Sequence, residues 1–138
     1  MRDILFKAKR VDNGEWVEGY YLKYIKPNNG EIEHRIFKSS DYGVTWYTVV
    51  ESTVCQFTGM TDKNGNRIWE NDICYYDDMD ICVIKFGEYD NNTNHKHIGF
   101  YAKWQKYDVL YRNDLGFWTQ ERELEVMGNF FDNPELLN

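Results

Sequence analysis

Four aspartates stand close together in the chain: Asp72, Asp77, Asp78 and Asp80. Clustered carboxylates can hold a hard cation such as calcium. The same residues suit a tight turn between strands, because an Asp side chain accepts hydrogen bonds from nearby backbone N–H groups. The turn is the preferred reading. His95 and His97 have the i, i+2 spacing that zinc sites use. They sit in a polar, Asn-rich stretch without a third ligand close in sequence, which favours a solvated loop. Asp62-Lys63-Asn64-Gly65-Asn66 resembles the start of a calcium loop. In that frame the sixth position is Arg67 instead of Gly and the twelfth is Ile73 instead of Glu. A hairpin turn fits better.

Nucleophiles are scarce. The three serines are Ser39, Ser40 and Ser52, and none lies in a Gly-x-Ser-x-Gly context. No phosphate-binding glycine loop is present. Glu121, Arg122, Glu123 and Glu125 form a charge run, read most simply as a solvated strand start. Cys55, Cys74 and Cys82 are odd in number, lack CxxC spacing and lie in apolar, strand-like contexts. They read as buried free thiols. The sequence therefore assigns no catalytic residue, no cofactor and no metal ligand, and it reads as a non-enzyme.

The elements that would position these residues are mostly strands. Ile4, Phe6 and Ala8 alternate with Leu5, Lys7 and Lys9. A turn at Asp12-Asn13-Gly14 precedes a long strand over 15–25, and Pro27-Asn28-Asn29-Gly30 turns into another over 32–37. Residues 44–50 are β-branched and aromatic, which suits a pleated strand. Asn64-Gly65 is a hairpin signal in which both positions are expected to take positive φ. Further strands are expected over 73–76, 81–86, 98–104 and 124–131. Ile98, Phe100, Ala102 and Trp104 would share one face of theirs. One or two helical turns are expected within 105–115, and a terminal turn begins at Pro134.

The fold expected is mostly β: N-terminal strands plus a small Src-homology-type barrel in the second half, with minor helix. The chain reads as a single domain over 1–138, with possible lobes 1–70 and 71–138.

The chain has 138 residues and a net charge of −7. Residues 1–70 are balanced, with ten basic and ten acidic side chains, and all of the excess falls in 71–138. An acidic half repels phosphate backbones, so nucleic acid is not the expected partner. The charged N-terminus lacks an apolar signal core, and no run reaches the ~20 apolar residues of a membrane helix. A cytoplasmic protein with reduced thiols is expected.

One segment carries a resemblance. Val54-Cys55-Gln56-Phe57-Thr58-Gly59-Met60-Thr61-Asp62-Lys63-Asn64-Gly65-Asn66-Arg67-Ile68-Trp69-Glu70-Asn71-Asp72-Ile73 resembles the signature of the YopX family of phage and prophage proteins. Leu124-Glu125-Val126-Met127-Gly128-Asn129-Phe130, Asn133-Pro134-Glu135-Leu136-Leu137 and the strand from Arg2 to Arg10 with Trp16 and Gly19 are similar to the family's two ends. Asn71 and Cys55 stand where the family usually has Gly. The resemblance implies a β-rich phage or prophage protein working inside a bacterial host, and it carries no established activity.

The aromatics remain to be placed: 11 Tyr, 8 Phe and 5 Trp. Tyr20, Tyr21, Tyr24, Tyr75, Tyr76, Tyr101 and Tyr107 would serve as a base-stacking platform, as ordinary strand residues or as a protein interface. Adjacent pairs such as Tyr20-Tyr21, Trp46-Tyr47, Tyr75-Tyr76 and Phe117-Trp118 would point to opposite faces of a strand. With little helix to cover the second faces, self-association is expected. Two lobes packed within one chain would be the other resolution. The function expected is an interaction or assembly module with a phage or host protein as partner, the alternative being nucleic-acid binding through small-barrel aromatics.

Overall fold

The computed structural model describes residues 3–91 and 95–138. Arg2 of the expected first strand and part of the expected 90–97 loop lie outside them. The described residues form ten strands in two antiparallel sheets, one short α-helix and two 3-10 turns. The mostly β expectation holds. The chain divides into two compact units, Met1–Phe57 and Thr58–Asn138. The division falls inside a strand and ahead of residue 70, because the 62–66 hairpin is hydrogen-bonded to residues 124–126.

The first unit holds β1 (Phe6–Lys9), β2 (Trp16–Ile25), β3 (Ile32–Ser40), β4 (Gly43–Val49) and the start of β5 (Cys55–Thr61). Two loops of one design join β1 to β2 and β2 to β3. The N–H groups of Gly14 and Gly30 donate back to the carbonyls of Arg10 and Lys26, each at 2.9 Å. Asn13 and Asn29 use their side-chain oxygens to accept from the N–H groups of Glu15 and Glu31. These loops fix the register: Phe6 faces Gly19, Tyr20 faces Phe37, and Phe37 faces Trp46. One face of the sheet buries Ala8, Val17, Ile36 and Val49, with Phe6, Tyr21 and Tyr47 packed against them.

The outer edge of β1 is then used up. Arg10 bridges Val49, Val11 N–H donates to the Thr48 carbonyl, and Val50 N–H donates to the Lys9 carbonyl. A 3-10 turn over Glu51–Thr53 follows, whose Thr53 hydroxyl accepts from Lys9 N–H at 2.9 Å. Next, Cys55 pairs with Lys7 and Gln56 with Phe6. The order is β5-β1-β2-β3-β4, with the end of β4 returning to β1. The barrel-like arrangement expected in the second half is thus approached in the first, through a single bridge and without a closed ladder.

The second unit continues β5 into β6 (Arg67–Trp69), then β7 (Asp72–Tyr76), β8 (Asp80–Tyr89), β9 (His97–Trp104), α1 (Leu115–Gln120) and β10 (Leu124–Asn129). Its sheet runs β10-β7-β8-β9 and stays open, which corrects the expected barrel. The outer edge of β9 meets an irregular segment: Ala102 N–H donates to the Asn113 carbonyl at 2.7 Å, and Tyr101 bridges Asp114. The carbonyl of Leu124 in β10 accepts from Lys63 N–H. Ala102 and Trp104 point into the core, Phe100 is half-buried, and Ile98 has run past the core into solvent. Within 105–115 only a turn forms at Tyr107–Tyr111, and the helix lies later, over 115–120. Phe117 and Trp118 are therefore helical neighbours and not strand neighbours. The terminal turn does start at Pro134.

The Asn64-Gly65 turn is real, but only Gly65 takes positive φ, at +84°. Asp62 N–H donates to the Asn66 carbonyl and Gly65 N–H to the Asp62 carbonyl, a three-residue loop that needs one left-handed position. Asn71 does have φ +70°. Asn is among the non-glycine residues that best tolerate this region, so it can take a conformation that glycine ordinarily supplies.

Two substitutions test these positions by urea unfolding. Gly65→Val costs about 1–2 kcal/mol through left-handed backbone strain, since a Cβ there meets no other atom. Asn71→Gly leaves the midpoint unchanged or raises it, whereas Asn71→Val lowers it by a similar ~1–2 kcal/mol.

Candidate interaction surface

The face of the first unit's sheet opposite the core is the most distinctive surface among the described residues. The period of two along each strand, with the observed register, places Lys7, Lys9, Trp16, Glu18, Tyr20, Leu22, Tyr24, Glu33, Arg35, Phe37, Val44 and Trp46 on it. Tyr20, Leu22, Val44 and Trp46 are exposed. At its centre the Arg35 guanidinium lies 3.8 Å from the Tyr24 ring centre and 3.7 Å from that of Trp46. A guanidinium stacks well on aromatic faces and keeps its edge donors free for hydrogen bonds. Here those donors go to Glu33, at 2.9 Å from Nε and 2.8 Å from Nη2. Arg35, followed by Lys26, holds the Glu33 carboxyl below its usual range. Lys7 lies 4.7 Å from the Trp16 ring centre. The face therefore mixes exposed aromatic surface with three cations and two carboxylates, and it is close to electrically balanced.

The adjacent aromatic pairs of the first unit behave as the strand period requires. Tyr20 and Trp46 point out. Tyr21 and Tyr47 point to the core, and the Tyr21 hydroxyl hydrogen-bonds His34 Nδ1. The seven tyrosines do not form one platform. Tyr76 packs with Trp104, Tyr111 and Trp118 in the core of the second unit. Tyr101 stacks on Tyr89, and Tyr107 meets Tyr111 at a tilt of 45°. The Arg35 sandwich is a feature that the sequence reading missed. Its signal was the Pro27–Gly30 loop: once that loop closes with Ile25 opposite Ile32, Arg35 must face Leu22 and stand on the outer face.

The acidic residues divide by role. The Asp80 carboxylate is buried and accepts from the backbone N–H groups of Ile81, Lys106 and Tyr107. Asp72 accepts from Trp69 N–H at 2.8 Å. Asp77 takes φ +42° in the turn and pairs with Lys63 at 3.7 Å. Asp72 and Asp80 thus serve separate sets of backbone amides, and Asp77 stands in the turn between their strands. His95 and His97 are exposed and line an open depression with Asn91 and Arg112, whose guanidinium pairs with Asp114 at 2.9 Å. Among the described residues no group of three or more His, Cys, Asp or Glu is arranged around a common point. All three cysteines are buried thiols outside any disulfide. Cys74 and Cys82 are partners across β7 and β8. The Cys82 side chain, followed by burial, pushes the Cys74 thiol well up.

Another depression, of about 270 Å³, lies along β8 and β9 and includes Tyr89, Tyr101, Lys103, Asp108 and Asn113. Its charges pair with one another, Lys103 with Asp108 and Lys96 with Glu88, each at 3.8 Å. No helix of the described residues is long and apolar enough to cross a membrane.

Asp62, the residue that suggested a calcium loop, is a buried structural acceptor. Its carboxylate takes the N–H groups of Asn64 at 2.9 Å, Asn66 at 2.8 Å and Val126 at 2.9 Å. Burial pushes its pKa up, but the backbone donors, with Val126 foremost, outweigh that and hold it below the usual range. A depressed folded-state pKa contributes stability that is complete above the unfolded pKa of ~4 and is lost as pH falls through the folded value. Asp62→Asn costs on the order of 1–3 kcal/mol at neutral pH, through weakened charge-assisted hydrogen bonds. In urea titrations at a series of pH values, its deficit against the wild type narrows below about pH 4.

A family model described as YopX protein matches residues 5–138. A search of curated proteins found no match. Among solved structures, the chain is similar to protein EF1440 from Enterococcus faecalis, with a TM-score of 0.55 and 20% identity over 100% of both chains. At that identity the likeness concerns the fold alone.

Proposed function

We propose that this chain, which belongs to the YopX family, is a phage- or prophage-derived accessory protein acting inside the bacterial host as a non-catalytic interaction or assembly module. One observation carries the reading: Arg35 held between Tyr24 and Trp46 on a sheet face with exposed Tyr20 and Leu22. Trp, Tyr and Arg are the residues that dominate binding energy at protein interfaces. Here they stand together on a rigid three-strand platform, so little side-chain entropy is lost on binding. The polar groups elsewhere support the same reading. Asp62, Asp72 and Asp80 are committed to backbone amides, and the charges beside the β8–β9 depression neutralise one another.

A protein partner fits this face better than a nucleic acid. Its cations are offset by Glu18 and Glu33, and phosphate binding gains from unbalanced cations through counterion release. The aromatics with Lys7, Lys9 and Arg35 are what a nucleic-acid reading would rest on.

Affinity capture from the host during phage growth, with wild type and Trp46→Ala compared side by side, tests the proposal. A partner retained by the wild type and bound at least tenfold more weakly by the variant is expected, a loss of about 1.4 kcal/mol. Partners indifferent to both Trp46→Ala and Tyr20→Ala would overturn it. In a polarisation titration at physiological salt, single-stranded DNA and RNA are expected to bind more weakly than ~10⁻⁶ M. Tighter binding that Trp46→Ala removes would favour the nucleic-acid reading.

A further inference from the structure

The backbone of β4 has two edges. One pairs with β3 over its whole length. On the other, Thr48 O accepts from Val11 N–H, and Val50 N–H donates to Lys9 O. Peptide groups alternate along a strand, so Val44 and Trp46 present their N–H and C=O on this same outer side. Among the described residues, the backbone hydrogen bonds along that side begin only at Thr48. Residues 43–46 are exposed. Free strand edges are usually guarded by lysine, proline, bulges or a covering element. Gly43-Val44-Thr45-Trp46-Tyr47 carries no charge and no proline.

We infer that this edge pairs antiparallel with the same edge of a second copy of the chain, about a two-fold axis at Thr45. In that register Val44 and Trp46 of one copy exchange N–H···O bonds with Trp46 and Val44 of the other, four in all. Thr45 faces Thr45, and each Val44 side chain lies beside the partner copy's Trp46, an aromatic–β-branched pair of the kind that stabilises sheets. The absence of charge decides for self-pairing. In a two-fold contact every side chain near the axis meets its own copy, so any charge there would repel itself. A strand from a different protein would instead be selected by a complementary charge or pocket; the depression lined by Val11, Asp12, Trp46, Tyr47 and Thr48 lies toward the covered end of the edge, and Val44 and Thr45 are not part of it. The pairing stops where Val11, just past β1, takes Thr48, so it is short and reversible. It rests on the assembly reading above, but Thr45 points to the other face of the sheet from Trp46, so the two tests fail separately.

The experiment is light scattering coupled to size exclusion, from low micromolar to several hundred micromolar chain. The wild type is expected to rise from 16.6 kDa toward twice that mass. Amide exchange at Val44 and Trp46 should slow over the same range. Thr45→Glu places a carboxylate opposite Lys38 within the chain, so the fold is kept. Between copies it sets carboxylate against carboxylate, and about tenfold more protein is needed to reach half-dimer. Val44→Pro removes an outward N–H that β3 does not use, and it abolishes the rise. A wild-type mass of 16.6 kDa at every concentration overturns the inference. So does either variant dimerising as tightly as the wild type. Protection of those two amides by an unrelated extended peptide, without any concentration dependence, would overturn it too and give the edge to a different protein.

Discussion

The outer edge of β1 governs the first unit. β1 has four residues, and the edge that faces away from β2 has to serve the end of β4, the 3-10 turn and the start of β5 in succession. Serving all three leaves no donor or acceptor of β1 to spare, as buried backbone requires. It also decides where β4 stops being covered. Because β1 reaches only to Thr48, the hairpin of β3 and β4 extends beyond it with one edge and one face in solvent. The buried face, the exposed aromatic face and the bare edge are three results of one short strand.

The second unit is organised by buried carboxylates. Asp62 gathers its own turn and reaches the β10 backbone, Asp80 gathers the 105–107 segment, and Asp72 closes the step from β6 to β7. Each is an acceptor-only group surrounded by N–H donors, which offsets the cost of taking a charge from water. That arrangement accounts for an acidic half that gathers no metal-like cluster among its described residues. Asp62, Asp72 and Asp80 hold irregular backbone in place beside a sheet edged by β10 and β9.

Much of this was legible from residue types. Alternation and β-branched or aromatic runs marked eight of the ten described strands, leaving out β5 and β6, and Asn-Gly pairs marked the turns, because strand period and left-handed backbone are local properties. Adjacent aromatics correctly divided between faces in β2 and β4. What the sequence hid was long-range. Nothing local in Ile73–Trp104 says that the edge of β9 will be taken by Asn113 and Asp114 in place of a strand, so a barrel was expected where an open sheet formed. The Arg35 sandwich depends on cross-strand register, which no single strand contains. Phe117-Trp118 was read with the period of a strand in a stretch dominated by strands, and a six-residue helix is too short to announce itself by periodicity.

The hydrogen bond from Val126 to the Asp62 carboxylate spans 64 positions of the chain. Such a contact has a meaning in time as well as in space. The hairpins of β2, β3 and β4 are neighbours in sequence and can zip on the timescale of local loop closure. The 62–66 turn can fold early as well, but its carboxylate has no complete set of donors until β10 arrives. On a ribosome moving from the N-terminus, the family signature is made long before the strand that satisfies it. Maturation of the second unit therefore waits on β10, whose Val126 is made 64 residues after Asp62, and loss of that strand would leave a charged, half-satisfied turn beside an exposed sheet edge.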